Sequence, residues 1–337
     1  MKTPAQQFLT THRPFVPRRW LGNGHAMTVF AWARRRAFPR LPVPEARLIR
    51  VSQDTQVLAH CYWQTDRASR GTLLALHGLE GSSDAHYMRG LAAKAWDRGW
   101  NSVLLNQRNC GGTEHLTSGV NHSGLTADPR AVIETLAATE GLRAVGIVGY
   151  SLGGNLTVRL MGELGESSDL PVVGAVGISP TIDLECCVRA IERRANIAYQ
   201  FNFVRNLKGR MLRKGHSWPG AFDLNPLGSI WTIRKFDDVY TAPFHGYAGA
   251  SDYYRRASAI RLVDRIRIPT LILTAEDDPF VPPEQFRDPV LRDNPHIAVC
   301  IERHGGHCGF ATDTTGEDDG YWAEARAIDF LAPLMPR

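Results

Sequence analysis

The stretch Ala144-Val145-Gly146-Ile147-Val148-Gly149-Tyr150-Ser151-Leu152-Gly153-Gly154-Asn155-Leu156-Thr157-Val158 carries three patterns in fifteen residues. A short apolar run comes first, of the kind that forms a strand buried on both faces. A turn follows with glycine two positions before and two after Ser151. An amphipathic helix begins at Leu152. A serine on a sharp strand-to-helix turn is held in a strained backbone, and side chains two positions away on either side would collide. The order strand, small-residue turn, helix therefore sets Ser151 apart as a candidate nucleophile.

Working outward, the same alternation extends in both directions. Apolar runs at Gly71–Leu76, Asn101–Leu105, Ala144–Gly149, Val172–Ile178, Thr270–Thr274 and Ile297–Ile301 read as strands. Helical spacing of apolar residues falls at Tyr87–Arg98, Pro129–Glu140, Leu152–Leu164 and Trp322–Leu334. Continuous apolar strands separated by amphipathic helices indicate an α/β fold, with a mostly parallel sheet covered on both faces. Two further strand-like segments, Ala46–Ser52 and Gln56–Gln64, precede it and are expected to pair antiparallel. The alternation stops at about residues 181–255, which read as a helical cap inserted over the carboxyl ends of the strands, where open α/β sheets bind ligands. One domain is expected, preceded by an arm over about residues 1–45 with a helix at Ala26–Arg36.

The 337 residues carry 39 Lys and Arg against 34 Asp and Glu, a formal charge of +5. That charge is uneven. Residues 1–50 hold Lys2 and nine arginines against Glu45 alone, so the rest of the chain is mildly acidic. A basic arm suits an anionic surface, and peripheral membrane contact is one expectation for it. The plainer expectation is that its arginines pair with carboxylates of the body, and no nucleic-acid partner is expected. The six cysteines show no C-x-x-C spacing, which argues against a structural zinc site. The amino terminus lacks a continuous apolar signal core, and the apolar stretch Met27–Ala33 is too short to span a bilayer. A reducing cytoplasm is the simplest compartment for such a chain.

A serine hydroxyl needs a base within hydrogen-bond reach, and the base needs an orienting acid. In a strand-turn-helix setting these follow in the order serine, acid, histidine. The strand Thr270–Thr274 runs into Glu276, Asp277 and Asp278. Spacing alone does not decide among them; Asp278 is favoured because Asp278 to Pro282 resembles the D-x-x-V-P ending seen in many hydrolases with this strand–helix order, and Asp277 is the main competitor. After the last strand come His304 and His307. His307, between Gly305-Gly306 and Cys308-Gly309, sits on the more adaptable loop and is the expected base. A metal held by His304, His307 and Cys308 is disfavoured, since the acid–base pair already requires this place. An oxyanion hole needs two backbone N–H donors. Leu152, directly after the serine, and Leu79, in the loop His77-Gly78-Leu79-Glu80-Gly81-Ser82-Ser83, are the candidates. His77 is expected to be structural, as is the loop Asn106–Gly112. The aromatic residues Tyr199, Phe201, Phe203 and Trp218 fit either a substrate wall or a cap core. Asp252-Tyr253-Tyr254-Arg255-Arg256 fits either pocket lining or packing.

Taken together, several segments resemble the YheT-like branch of the α/β-hydrolases: Trp20-Leu21-Gly22-Asn23-Gly24-His25, His77-Gly78-Leu79-Glu80-Gly81-Ser82, Gly149-Tyr150-Ser151-Leu152-Gly153-Gly154-Asn155, Phe236-Asp237-Asp238 to Thr241-Ala242-Pro243, Asp252-Tyr253-Tyr254-Arg255, and Gly305-Gly306-His307-Cys308-Gly309-Phe310. The resemblance spans nearly the whole chain. It implies the α/β-hydrolase fold and a triad of Ser151, Asp278 and His307. It also implies carboxylesterase chemistry on acyl esters or lipids, with acyl transfer and phospholipase activity among relatives, and no metal or cofactor. Two departures stand out. The family's arm often reads His-x-Gln-Thr where this chain has His25-Ala26-Met27-Thr28, and its usual glycine before the acid is Ala275 here.

Overall fold

A computed structural model describes residues 2–165, 169–314 and 319–336. Eight strands form one sheet: β1 (Glu45–Ser52), β2 (Thr55–Tyr62), β3 (Thr72–Leu76), β4 (Asn101–Leu105), β5 (Val145–Tyr150), β6 (Val172–Ile178), β7 (Thr270–Ala275) and β8 (Ile297–Glu302), in the order β1-β2-β4-β3-β5-β6-β7-β8. Strands β3 to β8 are mutually parallel, and β2 lies antiparallel to both β1 and β4. This is the α/β-hydrolase fold expected from the sequence.

The all-apolar strands separate into two faces with period two. Leu74, Leu76, Val103, Leu105 and Ile147 pack with the helices Ala127–Glu140 and Leu152–Leu164. Leu73, Ala75, Leu104, Val148 and Val176 pack with His86–Asp97 and Trp322–Leu331. Strands buried on both faces need no polar alternation, which is why they read as continuous runs.

Chain order reverses at β3, which has β4 on one side and β5 on the other. Leu76 pairs in register with Gly149, so the carboxyl ends of β3 and β5 lie side by side. The loops leaving them, residues 77–83 and the turn at Ser151, flank the crevice where open α/β sheets take ligands.

The arm differs from expectation. Its helix covers Gly24–Ala33 rather than Ala26–Arg36. Asn23 caps the start by accepting from the Ala26 N–H, and Arg34 is already extended. Arg36 leaves the helix to meet Glu324 at 2.5 Å and Asp319 at 2.7 Å. A second helix, Pro4–Thr11, carries a Thr3/Gln6 capping box and Pro4 in its first turn. Between β6 and β7 lie the helices Leu184–Ile191, Ile197–Ser217 and Ala250–Ala257, where the insertion was expected. Its end is tied to the body by buried Asn155, which donates to Ala257 O at 3.0 Å and accepts from Ala259 N at 2.9 Å. No helix among the described residues is long and apolar enough to cross a membrane.

Candidate active site

Ser151 sits between β5 and the following helix with φ +54° and ψ −116°, a conformation L side chains rarely adopt. The glycines around it are required by space. A Cβ on Gly149 would lie 2.1 Å from Gly153 O, and one on Gly153 would lie 2.4 Å from Leu76 O. The turn is closed by the Ser151 N–H donating to Ile178 O at 2.9 Å.

Asp278 and His307 come from the loops after β7 and β8, and the structure brings them together. Asp278 is 8 % exposed, and its Oδ2 accepts from His307 Nδ1 at 2.8 Å. Its Oδ1 accepts from the N–H groups of Phe280 and Val281, at 3.0 and 2.9 Å. The D-x-x-V-P ending thus has a physical meaning: the turn occupies one carboxylate oxygen and aims the other at the imidazole. Burial pushes His307 down, but the Asp278 carboxylate, together with the neighbouring Cys308 sulfur, outweighs it and holds the imidazole above its ordinary value. Asp277 turns elsewhere, accepting from Gly306 N at 2.8 Å and meeting His304 Nδ1 at 3.2 Å. Two adjacent carboxylates serve two histidines three residues apart, in parallel. His304 and His307 are therefore drawn to different partners. Among the described residues no group of three His, Cys, Asp or Glu side chains could hold a metal.

Ser151 and His307 line one cavity of about 600 Å³, with Leu79, Tyr199, Phe203 and Phe280 among its walls. A smaller cavity of about 80 Å³ lies on the other side of Ser151, lined by Leu152, Leu207, Tyr253 and Tyr254. Leu79, Ser151, Phe203 and Phe280 border both, so the serine stands at the throat between them. The loop carrying Leu79 passes directly over the serine: a Cβ on Gly78 would be 3.3 Å from Ser151 Cβ. The backbone N–H groups of Leu79 and Leu152 have no hydrogen-bond partner among the described residues.

The loop is held rigidly. His77 is fully buried, its Nδ1 paired with Gly78 O at 2.8 Å while Nε2 accepts from Gln107 N at 3.1 Å. Burial, opposed by the bond to Gly78 O, pushes its imidazole down to about 4, so it stays neutral. Asn106 accepts from Ser83 N at 2.9 Å. His77 and the Asn106–Gly112 loop, both expected to be structural, thus brace the loop that carries Leu79. Of the aromatic residues left open, Tyr199 and Phe203 line the cavity, Phe201 is exposed, and Trp218 donates to Glu114 O. Tyr253 and Tyr254 both line the small cavity and pack, donating to Ser123 Oγ and Asp237 Oδ2.

Two contacts escaped the sequence reading. The Thr28 hydroxyl donates to Gly24 O and accepts the His307 N–H at 2.8 Å, so the arm clamps the histidine loop. A Cβ on Gly24 would overlap the Asp277 carbonyl oxygen at 1.7 Å. Arg210, on the helix Ile197–Ser217, pairs with Glu80 at 2.8 Å, both nearly buried, and so ties that helix to the loop after β3. No local pattern signals either contact, because each joins residues more than a hundred positions apart.

Comparison with known proteins agrees with this architecture. The profile described as "Alpha/beta hydrolase family" matches residues 56–316. The chain is 34% identical to YheT of Escherichia coli (strain K12) over 99% of this chain and 97% of that one. It is 28% identical to "Phospholipase ABHD3" of Mus musculus, over 74% of this chain and 60% of that one. Among solved structures, the Pyrococcus furiosus esterase Pf2001 superposes with a TM-score of 0.55 at 16% identity, over 96% of this chain and all of that one. With the strand order, the serine turn and the full-length likeness in agreement, the chain belongs to the α/β-hydrolase family, in its YheT-like branch.

Proposed function

We propose that this protein is a serine carboxylesterase that hydrolyses short- to medium-chain acyl esters through an acyl-enzyme on Ser151. The observation that carries the reading is the Asp278–His307 pair, with Asp278 buried and His307 lining the cavity that Ser151 also lines. His307 takes the Ser151 proton as the hydroxyl oxygen attacks the ester carbonyl. Asp278 holds the imidazole by its Nδ1–H and stabilises the cation that forms. The N–H groups of Leu79 and Leu152 receive the developing oxyanion, each donor contributing on the order of 3 kcal/mol. The imidazolium then protonates the departing alkoxide. Water, deprotonated by the same histidine, attacks the acyl carbon and releases acid and free serine. Every proton transfer in this cycle uses a group of the chain, so it calls for no cofactor.

The insertion between β6 and β7 serves as the cap that selects the substrate, since Tyr199 and Phe203 line the large cavity. A cavity of this size lies within the range that encloses a drug-sized ligand. The kinship with a phospholipase favours a lipid ester as a second reading of the substrate, with an alcohol replacing water as acceptor if transfer rather than hydrolysis is the outcome. Product analysis with added alcohol separates hydrolysis from transfer.

Fluorophosphonate labelling followed by peptide mapping tests the central claim. The label belongs on Ser151, and a folded sample that labels elsewhere or not at all overturns the assignment. Ser151→Ala is expected to lower turnover by about 10⁶, with the fold intact by circular dichroism.

A further inference from the structure

Two segments of this chain contain no carboxylate. Residues 1–44 hold eight Lys and Arg, residues 193–222 hold seven, and neither holds any Asp or Glu. The fold brings these two segments to the mouth of the large cavity. From the arm, Val29 and Trp32, one helical turn apart, line that mouth. From the second segment, Ala198, Tyr199 and Asn202 line it. His25 and Tyr199 join the two, stacked at 5.8 Å with a 3.2 Å contact from Nδ1 to the phenol oxygen.

The rim so formed is apolar as well as cationic. Trp32 is 75 % exposed, Val29 50 %, Ile197 67 % and Phe201 58 %. Trp20, 85 % exposed, adopts φ +75°, a strained backbone for a bulky residue, and its indole meets the Arg19 guanidinium at 5.2 Å. Its turn lies beside the arm helix, since Arg18 stands over the Phe30 ring at 5.7 Å. Val29 and Trp32 line the cavity, and Ile197 and Phe201 adjoin the lining residues Ala198 and Asn202 on their helix; large exposed side chains at a cavity mouth mark an interaction site rather than scattered surface.

The body neutralises only part of the positive charge. Arg36, Arg40, Arg210 and Arg213 pair with carboxylates, and Arg18 approaches Asp313 at 3.8 Å. Arg13, Arg19, Arg34, Arg35, Arg193, Arg194 and Arg205 are exposed and have no carboxylate partner among the described residues. The expectation that the arm's arginines pair with the body thus holds for some of them and fails for others, among them Arg34 and Arg35, which follow the cavity-lining Trp32.

The geometry points to an anionic lipid surface as the partner of this rim, with the cavity mouth docked against the headgroup layer. Tryptophan and arginine side by side match that layer. The rings and aliphatic side chains enter the acyl boundary, while the guanidinium groups meet lipid phosphates. Docking there would deliver an apolar ester directly into a cavity whose entrance is already covered from water. The choice of a lipid ester rests on the esterase reading above, but the docking surface does not.

Sedimentation with phosphatidylcholine vesicles, with and without phosphatidylglycerol, tests the docking, using Ser151→Ala protein so that catalysis plays no part. Binding is expected only when phosphatidylglycerol is present, and it should weaken as salt is raised. Arg34→Gln with Arg35→Gln should lower the partition coefficient roughly 30-fold. Trp20→Ser with Phe201→Ser should lower it by a similar order. In a Ser151 background, none of these four residues lines the cavity, so hydrolysis of water-soluble p-nitrophenyl acetate should be unchanged and reports that each variant is folded. Equal binding to both vesicle types, binding to neither, or partition unaffected by the variants overturns the proposal. Preferential capture by a single-stranded oligonucleotide overturns it in favour of a nucleic-acid surface. Failure of the esterase reading would look different: no label on Ser151, with vesicle binding intact.

Discussion

Replacing Asp278 by asparagine keeps the shape of the side chain but puts an amide where a charge stood. The imidazole then loses the partner that fixes its tautomer and stabilises its cation. Turnover should fall about 10⁴-fold, with little change in stability. Asp277→Asn should behave differently, because Asp277 touches His304 and Gly306 N rather than His307. It should lower turnover by no more than about tenfold, as expected for losing one loop hydrogen bond. Steady-state kinetics on both variants decides the matter, and a larger loss in Asp277→Asn would reverse the assignment. The pH dependence follows from the same contact. His307 accepts a proton only when neutral, and Asp278 holds its protonated form to higher pH than an ordinary histidine near 6.5. The acid limb of kcat/KM should therefore lie above that value, with activity rising as pH rises through it. In Asp278→Asn the limb should move to lower pH. A pH-stat assay on an alkyl ester, which has no chromophore titrating in the same range, measures both profiles.

At the scale of elements, the arm acts as a clamp on the histidine loop through the Thr28 hydroxyl. Thr28→Val removes that hydroxyl at nearly constant volume and should lower kcat about three- to tenfold. Thr28→Ser should restore most of it, a rescue that a purely packing role would not give. The helix Ile197–Ser217 carries a second testable feature. Lys214 is buried, donates to Thr117 O at 2.8 Å, and is pushed down by burial to about 7. In the unfolded chain its pKa is near 10.4, so between these values the unfolded state binds more protons and stability should rise with pH. Below pH 7 the full penalty of a buried charge is present. Lys214→Met should accordingly raise Tm more at pH 6 than at pH 9, by differential scanning fluorimetry. These elements also mark the limit of what the chain reveals by itself. Strands β3 to β8 were readable to within a residue or two, because burial on both faces leaves an apolar run with no competing pattern. The serine turn was equally plain as a pattern, although only Gly149 is imposed locally, by Gly153 O, while Gly153 is imposed by Leu76 O across the sheet; the D-x-x-V-P turn was visible too, and the structure shows it aiming Asp278 at His307. The helix Pro4–Thr11 had an available signal in Thr3, Pro4 and Gln6 that a charge-based reading of the arm passes over. By contrast, Thr28 with His307 and Glu80 with Arg210 exist only once the sheet has assembled, and nothing in their neighbourhoods predicts them.

For the whole molecule, the division of space around Ser151 bears on which half of an ester goes where. His307 lines only the large cavity, and in the proposed mechanism it protonates the departing alkoxide and then activates water. The alcohol therefore leaves through the large, rim-bordered side. Leu152 lines only the small cavity, so if its N–H holds the carbonyl oxygen as proposed, the acyl chain extends that way. At about 80 Å³ that space is roughly half the 150 Å³ cavity that accommodates benzene in an engineered protein core. Within the proposed short- to medium-chain range it favours the short end, about four carbons or fewer, while the alcohol can be as bulky and apolar as the 600 Å³ side allows. Hexyl acetate and ethyl hexanoate contain the same atoms with the ester reversed, so comparing them isolates the arrangement from hydrophobicity. Hexyl acetate should have the higher kcat/KM, by about 10- to 100-fold, the penalty expected when a packed site must admit extra methylenes. Leu207 lines the small cavity and is buried at its wall. Leu207→Ala should cost about 2–5 kcal/mol of stability and narrow the gap by admitting the hexanoyl chain. A wild-type preference for ethyl hexanoate would mean that the acyl chain occupies the large cavity, and with it the aromatic wall of Tyr199 and Phe203.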